Sequence, residues 1–321
     1  MKSISVLIFA TIILLSFRYN SQNLTANKPQ PTTIDNSAEE VANNMSYYSD
    51  YFVFVATDEQ LVIPFDFNWS PSSKGFYREF KAWYGTTEEW PILYIKDHKK
   101  SKTVPSNPWE HENIGGFSFD QAARTITIDI ETVPELTLEI PENTQWIPLS
   151  SQSNNKEIFA FRTSVKRNNK IINGWMIYER IRWDATALNA FGDFRAFYWI
   201  PLIIDGDFYH FEMHSGVWEQ IASRWYVEDG IVNNEVSTDF TINILKTESD
   251  KKSKRKQIPK VLQVQAPSWD IDISLSSEGA QVGYGQQFPR GLAYYRQSIL
   301  TNTSDSKTSG YGMLELILEN N

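Results

Sequence analysis

The sequence predicts an all-β protein, and three observations carry that prediction. Short apolar or alternating runs recur along the chain with turn residues between them. No long stretch keeps the 3.6-residue period of an amphipathic helix. Phe, Tyr and Trp make up 14% of the residues, eleven of them Trp, and aromatics are enriched where pleated surfaces pack.

Taken in order, strands are expected at 51–56, 60–68, 76–84, 92–96, 125–130, 136–140, 158–165 and 171–183. The second half continues with 197–204, 208–214, 224–227, 231–236, 240–245, 261–265, 270–275, 292–299 and 311–318. Asn173-Gly174, Asp205-Gly206 followed by Asp207, and Asp229-Gly230 are turn dipeptides flanked by β-rich runs, which predicts hairpins and meanders rather than crossovers. Roughly seventeen strands exceed one ordinary sheet, so two barrels or a large sandwich are expected. The least strand-like interior segment, 184–195, suits a link between two halves, 47–183 and 184–321.

The N-terminus differs. Met1-Lys2 followed by the apolar stretch 4–17 has the charged start and short hydrophobic core of a secretory signal over 1–20, which predicts a secreted or periplasmic protein. The stretch is shorter than the roughly 20 apolar residues of a spanning helix. Retention as an uncleaved anchor is the alternative, because Arg18-Tyr19-Asn20 offers no small-residue cleavage site. Residues 21–46 are rich in Asn, Gln, Pro, Thr and Ser and read as a flexible linker. The basic run inside 246–260 reads as a solvated loop between strands.

Composition removes several classes of function. A formal net charge of −9 disfavours a nucleic-acid partner, since phosphate backbones select basic surfaces. Zero cysteines exclude disulfides, thiolate metal sites and a Cys nucleophile. There is no phosphate-cradling glycine loop, nucleophile elbow or helical His-Glu-x-x-His. Acid-base chemistry in an aromatic β scaffold, with no cofactor, is what these exclusions leave, and the oligomeric state stays open.

The strand 208–214 carries the most suggestive pattern. His210, Glu212 and His214 fall on one side and Tyr209, Phe211 and Met213 on the other. A histidine beside a carboxylate can serve as base and acid near neutral pH, so His210, Glu212 and His214 are candidate catalytic residues. The competing reading is a solvent-exposed outer face over a core of Tyr209, Phe211 and Met213. The two histidines are about 13 Å apart on a straight strand, too far to share one ion; either could ligate together with Glu212, but nothing else has clear ligand spacing, so no metal site is expected. On 175–183, Tyr178, Arg180 and Arg182 share a face opposite Ile177, Glu179 and Ile181. Tyr178 is a further candidate proton carrier, and Arg180 and Arg182 could fork onto an anionic substrate. Tyr294 and Arg296, with Arg290, form a similar set; Trp199 and Trp269 are candidate stacking platforms, and Glu315 is a second carboxylate.

Several landmarks resemble the AttH and carotenoid hydratase (CrtC) group. They are Tyr51-Phe52-Val53-Phe54 followed by 61–67, Asn173-Gly174 with Tyr178-Glu179-Arg180, and Phe191-Gly192 with Tyr198-Trp199. Asp205-Gly206 with Phe208, and Gly310-Tyr311-Gly312 with Glu315, continue the series. The resemblance covers most of the chain after the linker, and each motif in it is short. It implies two lipocalin-like β-barrels side by side, a hydratase or related activity, and a polar pair on an early strand of the second barrel, where His210-Glu212 or Glu212-His214 stands. The group commonly carries an Asp-His-x-Trp-Gly signature on the linking segment; here Leu188-Asn189-Ala190-Phe191-Gly192 occupies that place, and Asn189 can bind but cannot exchange a proton.

Together these readings predict a carbon-oxygen lyase of the dehydratase or hydratase type acting on an acidic, uronate-containing oligosaccharide. A cyclase or hydratase of an isoprenoid or polyketide is the second expectation, and a non-catalytic binder of a glycan or apolar ligand the third.

Overall fold

The structure is a computed structural model that describes residues 47–72, 75–83, 92–101, 115–120, 125–130, 133–139, 147–148, 155–167, 169–183, 196–215, 220–249, 257–278 and 292–319. Side chains are described for part of these. The signal-like segment, the linker and the 184–195 link lie outside them, as does the centre of the basic run. All described residues belong to one compact unit.

The fold is all β and antiparallel. A seven-stranded sheet contains β1 (Tyr47–Ala56), β2 (Val62–Ser72), β3 (Gly75–Trp83), β4 (Ile92–Ser101), β8 (Ile147–Pro148), β9 (Asn155–Arg167) and β10 (Lys170–Trp183). Its order is β4-β3-β2-β1-β10-β9-β8. A three-stranded sheet pairs β5 (Gly115–Asp120), β6 (Thr125–Ile130) and β7 (Val133–Glu139).

A nine-stranded sheet holds β11 (Ala196–Ile204), β12 (Asp207–Ser215), β13 (Ile221–Glu228), β14 (Ile231–Ser237) and β15 (Thr241–Glu248). It is completed by β16 (Ile258–Ala266), β17 (Ile271–Glu278), β18 (Leu292–Asn302) and β19 (Gly310–Glu319). The order β14-β13-β12-β11-β19-β18-β17-β16-β15 leaves the consecutive strands β14 and β15 at opposite edges. Yet Tyr209 and Phe211 of β12 lie 5.7 and 6.4 Å from the Trp269 ring, and Phe211 lies 5.5 Å from Phe240. The sheet therefore curls on itself as a half-barrel of lipocalin type around one apolar core.

Strands β1, β10, β11 and β12 are buried on both faces, and their sequences show it. In β1 the run from Tyr51 to Ala56 has no polar member, because Phe52 and Phe54 face one core while Tyr51, Val53 and Val55 face another. That second core joins the sheets: Tyr51, Val53, Trp175 and Ile177 cluster with Phe197, Trp199, Phe208, Trp225, Met313 and Ile317.

Two turn expectations hold. Asp205-Gly206 (φ 50° and 94°) and Asp229-Gly230 (φ 52° and 77°) have positive φ at both central residues, as tight hairpins need. Asn173-Gly174 is not a turn but lies inside β10. Gly174 is required there because a Cβ would overlap the Val55 carbonyl oxygen and the Phe54 ring. The chain reverses earlier, where Asn169 takes a φ of 64° between β9 and β10. Strands β5 and β8 had no counterpart among the expected runs.

Candidate active site between the two large sheets

Alternation along β12 sends Phe208, His210 and Glu212 one way and Tyr209 and Phe211 the other. Both directions are buried. His210 is fully inaccessible and Glu212 is 2% exposed. Their face is thus neither a wet outer surface nor the apolar interior of the half-barrel, but the layer where the nine-stranded sheet meets the seven-stranded one.

The cross-strand register builds a polar row in that layer. Glu212 pairs with Trp199, Trp199 with Glu315, and Glu315 with Gln297, one residue from each of β12, β11, β19 and β18. From the opposite sheet, Tyr51 of β1 and Glu179 of β10 are directly paired neighbours that face this row. Trp199 Nε1 donates to Glu179 Oε2 at 2.7 Å, which crosses between the sheets. Gln297 Nε2 donates to Tyr51 Oη at 2.7 Å and to Glu315 Oε2 at 2.9 Å. The Trp199 ring centroid lies 5.0 Å from that of His210 and 5.1 Å from that of Tyr51.

Three ionisable side chains converge at one end of the row. Glu179, His210 and Glu212 each present an atom within 4.8 Å of the other two, and Glu179 is only 4% exposed. His210 Nε2 lies 3.7 Å from Glu212 Oε2, longer than a hydrogen bond. Burying such groups among aromatic carbons is costly unless their charges are compensated, and a well-packed hydrophobic core gains nothing from it. At the other end of the row Glu315 is partly exposed.

Of the residues singled out in the sequence, His210, Glu212, Trp199 and Glu315 come together here. Tyr178 does not. It lies on the opposite face of β10 from Glu179, its ring stacked 4.2 Å from Phe52 and edge-on to Phe159 at 5.3 Å. His214, Arg180, Arg182, Tyr294 and Arg296 lie on strands whose backbone is described, but their side chains fall outside the described residues, as does the whole of Asn189. Trp269 donates to Glu235 Oε2 at 2.8 Å beside the half-barrel core, away from the polar row.

Glu179, Tyr51 and Gln297 were not anticipated. A signal for Glu179 existed: it is the one acidic residue in the period-two stripe Trp175, Ile177, Glu179, Ile181. Tyr51 and Gln297 carry no such mark, since a Tyr or Gln within an apolar strand is unremarkable on its own.

With this geometry in hand, comparison with solved structures places the fold. An AttH-like protein from Nitrosomonas europaea is similar over 85% of this chain and 92% of its own, with a TM-score of 0.52 and 12% identity. The chain has the AttH-like fold. CghA, crystallised with Sch210972, is similar over 86% of this chain and 89% of its own, with a TM-score of 0.51 and 10% identity. Kievitone hydratase from Nectria haematococca gives a TM-score of 0.49 at 14% identity, covering 85% of this chain and 89% of its own. No family model matches the chain, and no curated protein does. At these identities the likeness speaks for the AttH-like architecture, the two large antiparallel sheets and their lipocalin-type curvature. Among the described residues no helix is long and apolar enough to cross a membrane.

Proposed function

We propose that this chain is a hydratase-type carbon-oxygen lyase acting on a small molecule in the layer between its two large sheets. One observation carries the reading: Glu179, His210 and Glu212, contributed by two different sheets, converge within 4.8 Å in a buried, aromatic-lined setting. Ionisable groups drawn together out of water are costly for stability and are what proton transfer needs.

Elimination of water breaks a C–H and a C–O bond and forms C=C. One group must take the proton from carbon, and another must deliver a proton to the departing oxygen. His210, flanked by Glu212, has the chemistry for the first task. Glu179, whose position is fixed by the Trp199 N–H, supplies the second. Tyr51 and Gln297 continue the polar row toward Glu315 and offer hydrogen bonds to a bound substrate.

For substrate we propose an acidic oligosaccharide met outside the cytoplasm. The signal-like N-terminus and the abundance of Trp and Tyr favour it, since sugar rings stack on aromatic faces. An isoprenoid or polyketide substrate is the second reading, favoured by the rings of Tyr51, Trp199, Phe197 and Phe208 in this layer and by CghA having been crystallised with Sch210972.

Purified protein incubated with uronate oligosaccharides should raise ultraviolet absorbance as a conjugated double bond forms, and His210→Asn should abolish the rise. Absence of product from uronate, isoprenoid and polyketide substrates alike, with ligand binding retained, would overturn the enzyme reading in favour of a binding protein.

A further inference from the structure

We infer that Glu179, His210 and Glu212 form a binding site for one divalent transition-metal ion. On the strand alone no metal site is expected, because His210 and His214 are too far apart to share an ion and a pair of either histidine with Glu212 lacks a third ligand. The tertiary structure brings the missing ligand from the other sheet, as Glu179 of β10 reaches the pair on β12.

Four observations support the site. Two carboxylates and an imidazole are the donor set of many zinc, manganese and iron sites. Ligand atoms bound at about 2.1 Å to a common ion are separated by roughly 3 to 4 Å, and His210 Nε2 and Glu212 Oε2 are 3.7 Å apart, longer than a hydrogen bond and suited to sharing an ion. Glu179 is already oriented by a hydrogen bond from Trp199 Nε1 at 2.7 Å, the kind of outer contact that fixes metal-ligating carboxylates. All three residues are nine-tenths or more buried, and a divalent cation would cancel the charge of two carboxylates held out of water. Three protein ligands leave coordination positions for water or a substrate oxygen, the arrangement of a catalytic rather than a structural metal.

This changes the hydratase reading at one point, and only the ion's role rests on that reading. With the ion bound, Glu179 and His210 are ligands, and an ion-bound hydroxide in place of the His210 ring would take the proton from carbon and return it as ion-bound water to the departing oxygen. A metal ion in this place would polarise a substrate carboxylate or carbonyl oxygen and so ease removal of the neighbouring proton. Binding itself can be measured without substrate.

Full-length protein stripped with a chelator and dialysed against Zn²⁺ should retain about one ion per chain by elemental analysis. Co²⁺ should quench the part of the tryptophan emission that disappears in Trp199→Phe. Glu179→Gln and Glu212→Gln should each weaken binding by at least about 100-fold, while Trp199→Phe weakens it about 10-fold, as outer-contact substitutions do. Near-ultraviolet circular dichroism would confirm that each variant is folded. A folded wild-type chain that retains no Zn²⁺, or variants that retain as much as wild type, would overturn the site. Binding without turnover supports the site and counts against the hydratase; turnover unaffected by chelation does the reverse.

Discussion

Strand β12 divides two regions of opposite character. On one side Tyr209 and Phe211 join Leu262, Val264, Ile273, Leu275, Leu300 and Leu316 in a core that contains no buried charge among the described residues. On the other, two residues along the same backbone, His210 and Glu212 meet Glu179, Trp199 and the Gln297 row. The first region is what a curled sheet needs to hold its shape, since apolar burial is the main term favouring folding. The second contains groups that a purely structural interface would exchange for Leu or Phe, and it is formed only where two sheets meet. A site between sheets takes residues from both and can bring together groups that no single strand could.

Substitutions on the two sides of β12 should separate these roles. Phe211→Ala should have the largest effect, lowering stability by about 3–5 kcal/mol in chemical denaturation while leaving the turnover of the folded fraction near wild type. Glu212→Gln should do the opposite: turnover falls at least about 100-fold, and the denaturation midpoint moves little, because a buried carboxylate is removed without loss of volume. If Glu212→Gln destabilises the protein as much as Phe211→Ala does, or leaves the turnover of the folded fraction at the wild-type level, the division fails.

Gly312→Ala tests the seam itself. A Cβ there would overlap the Pro201 carbonyl oxygen and crowd Leu202, so β19 would be pushed from β11 and both regions disturbed. A loss of about 1–3 kcal/mol with reduced turnover is expected from denaturation and rate measurements on the one variant.

The smallest effect is a pH dependence located on the apolar side. Burial pushes the Tyr209 phenol up to about 12 from its ordinary 10.0, against the opposing influence of Arg224. A phenol whose pKa is raised by folding contributes stability that is present below 10 and is lost as pH rises from 10 toward 12. Tyr209→Phe should therefore flatten the alkaline limb of the stability profile between those values. An unchanged limb would place the titrating group elsewhere.

Much of the fold was legible before any tertiary contact was known. Alternation, aromatic density and the two Asp-Gly hairpins sufficed for an antiparallel, all-β chain, because strand periodicity and turn conformation are local properties. Asn173-Gly174 misled for a tertiary reason: the glycine is needed for the close approach of β1, and the same dipeptide serves tight turns elsewhere. The β5 strand was missed since Gly115-Gly116-Phe117-Ser118 is a weak local pattern stabilised by pairing with β6.

The candidate site was half visible. The stripe His210 and Glu212 follows from the period of two and needed only the sequence. Glu179 appeared there as a member of the face opposite Tyr178, with nothing to show that this face would be the one turned toward β12. Alternation says which residues share a side, and it cannot say what that side will meet. That depends on how two sheets, each buried on both faces at their central strands, pack against one another, and it is this packing that places Glu179 of one beside His210 and Glu212 of the other.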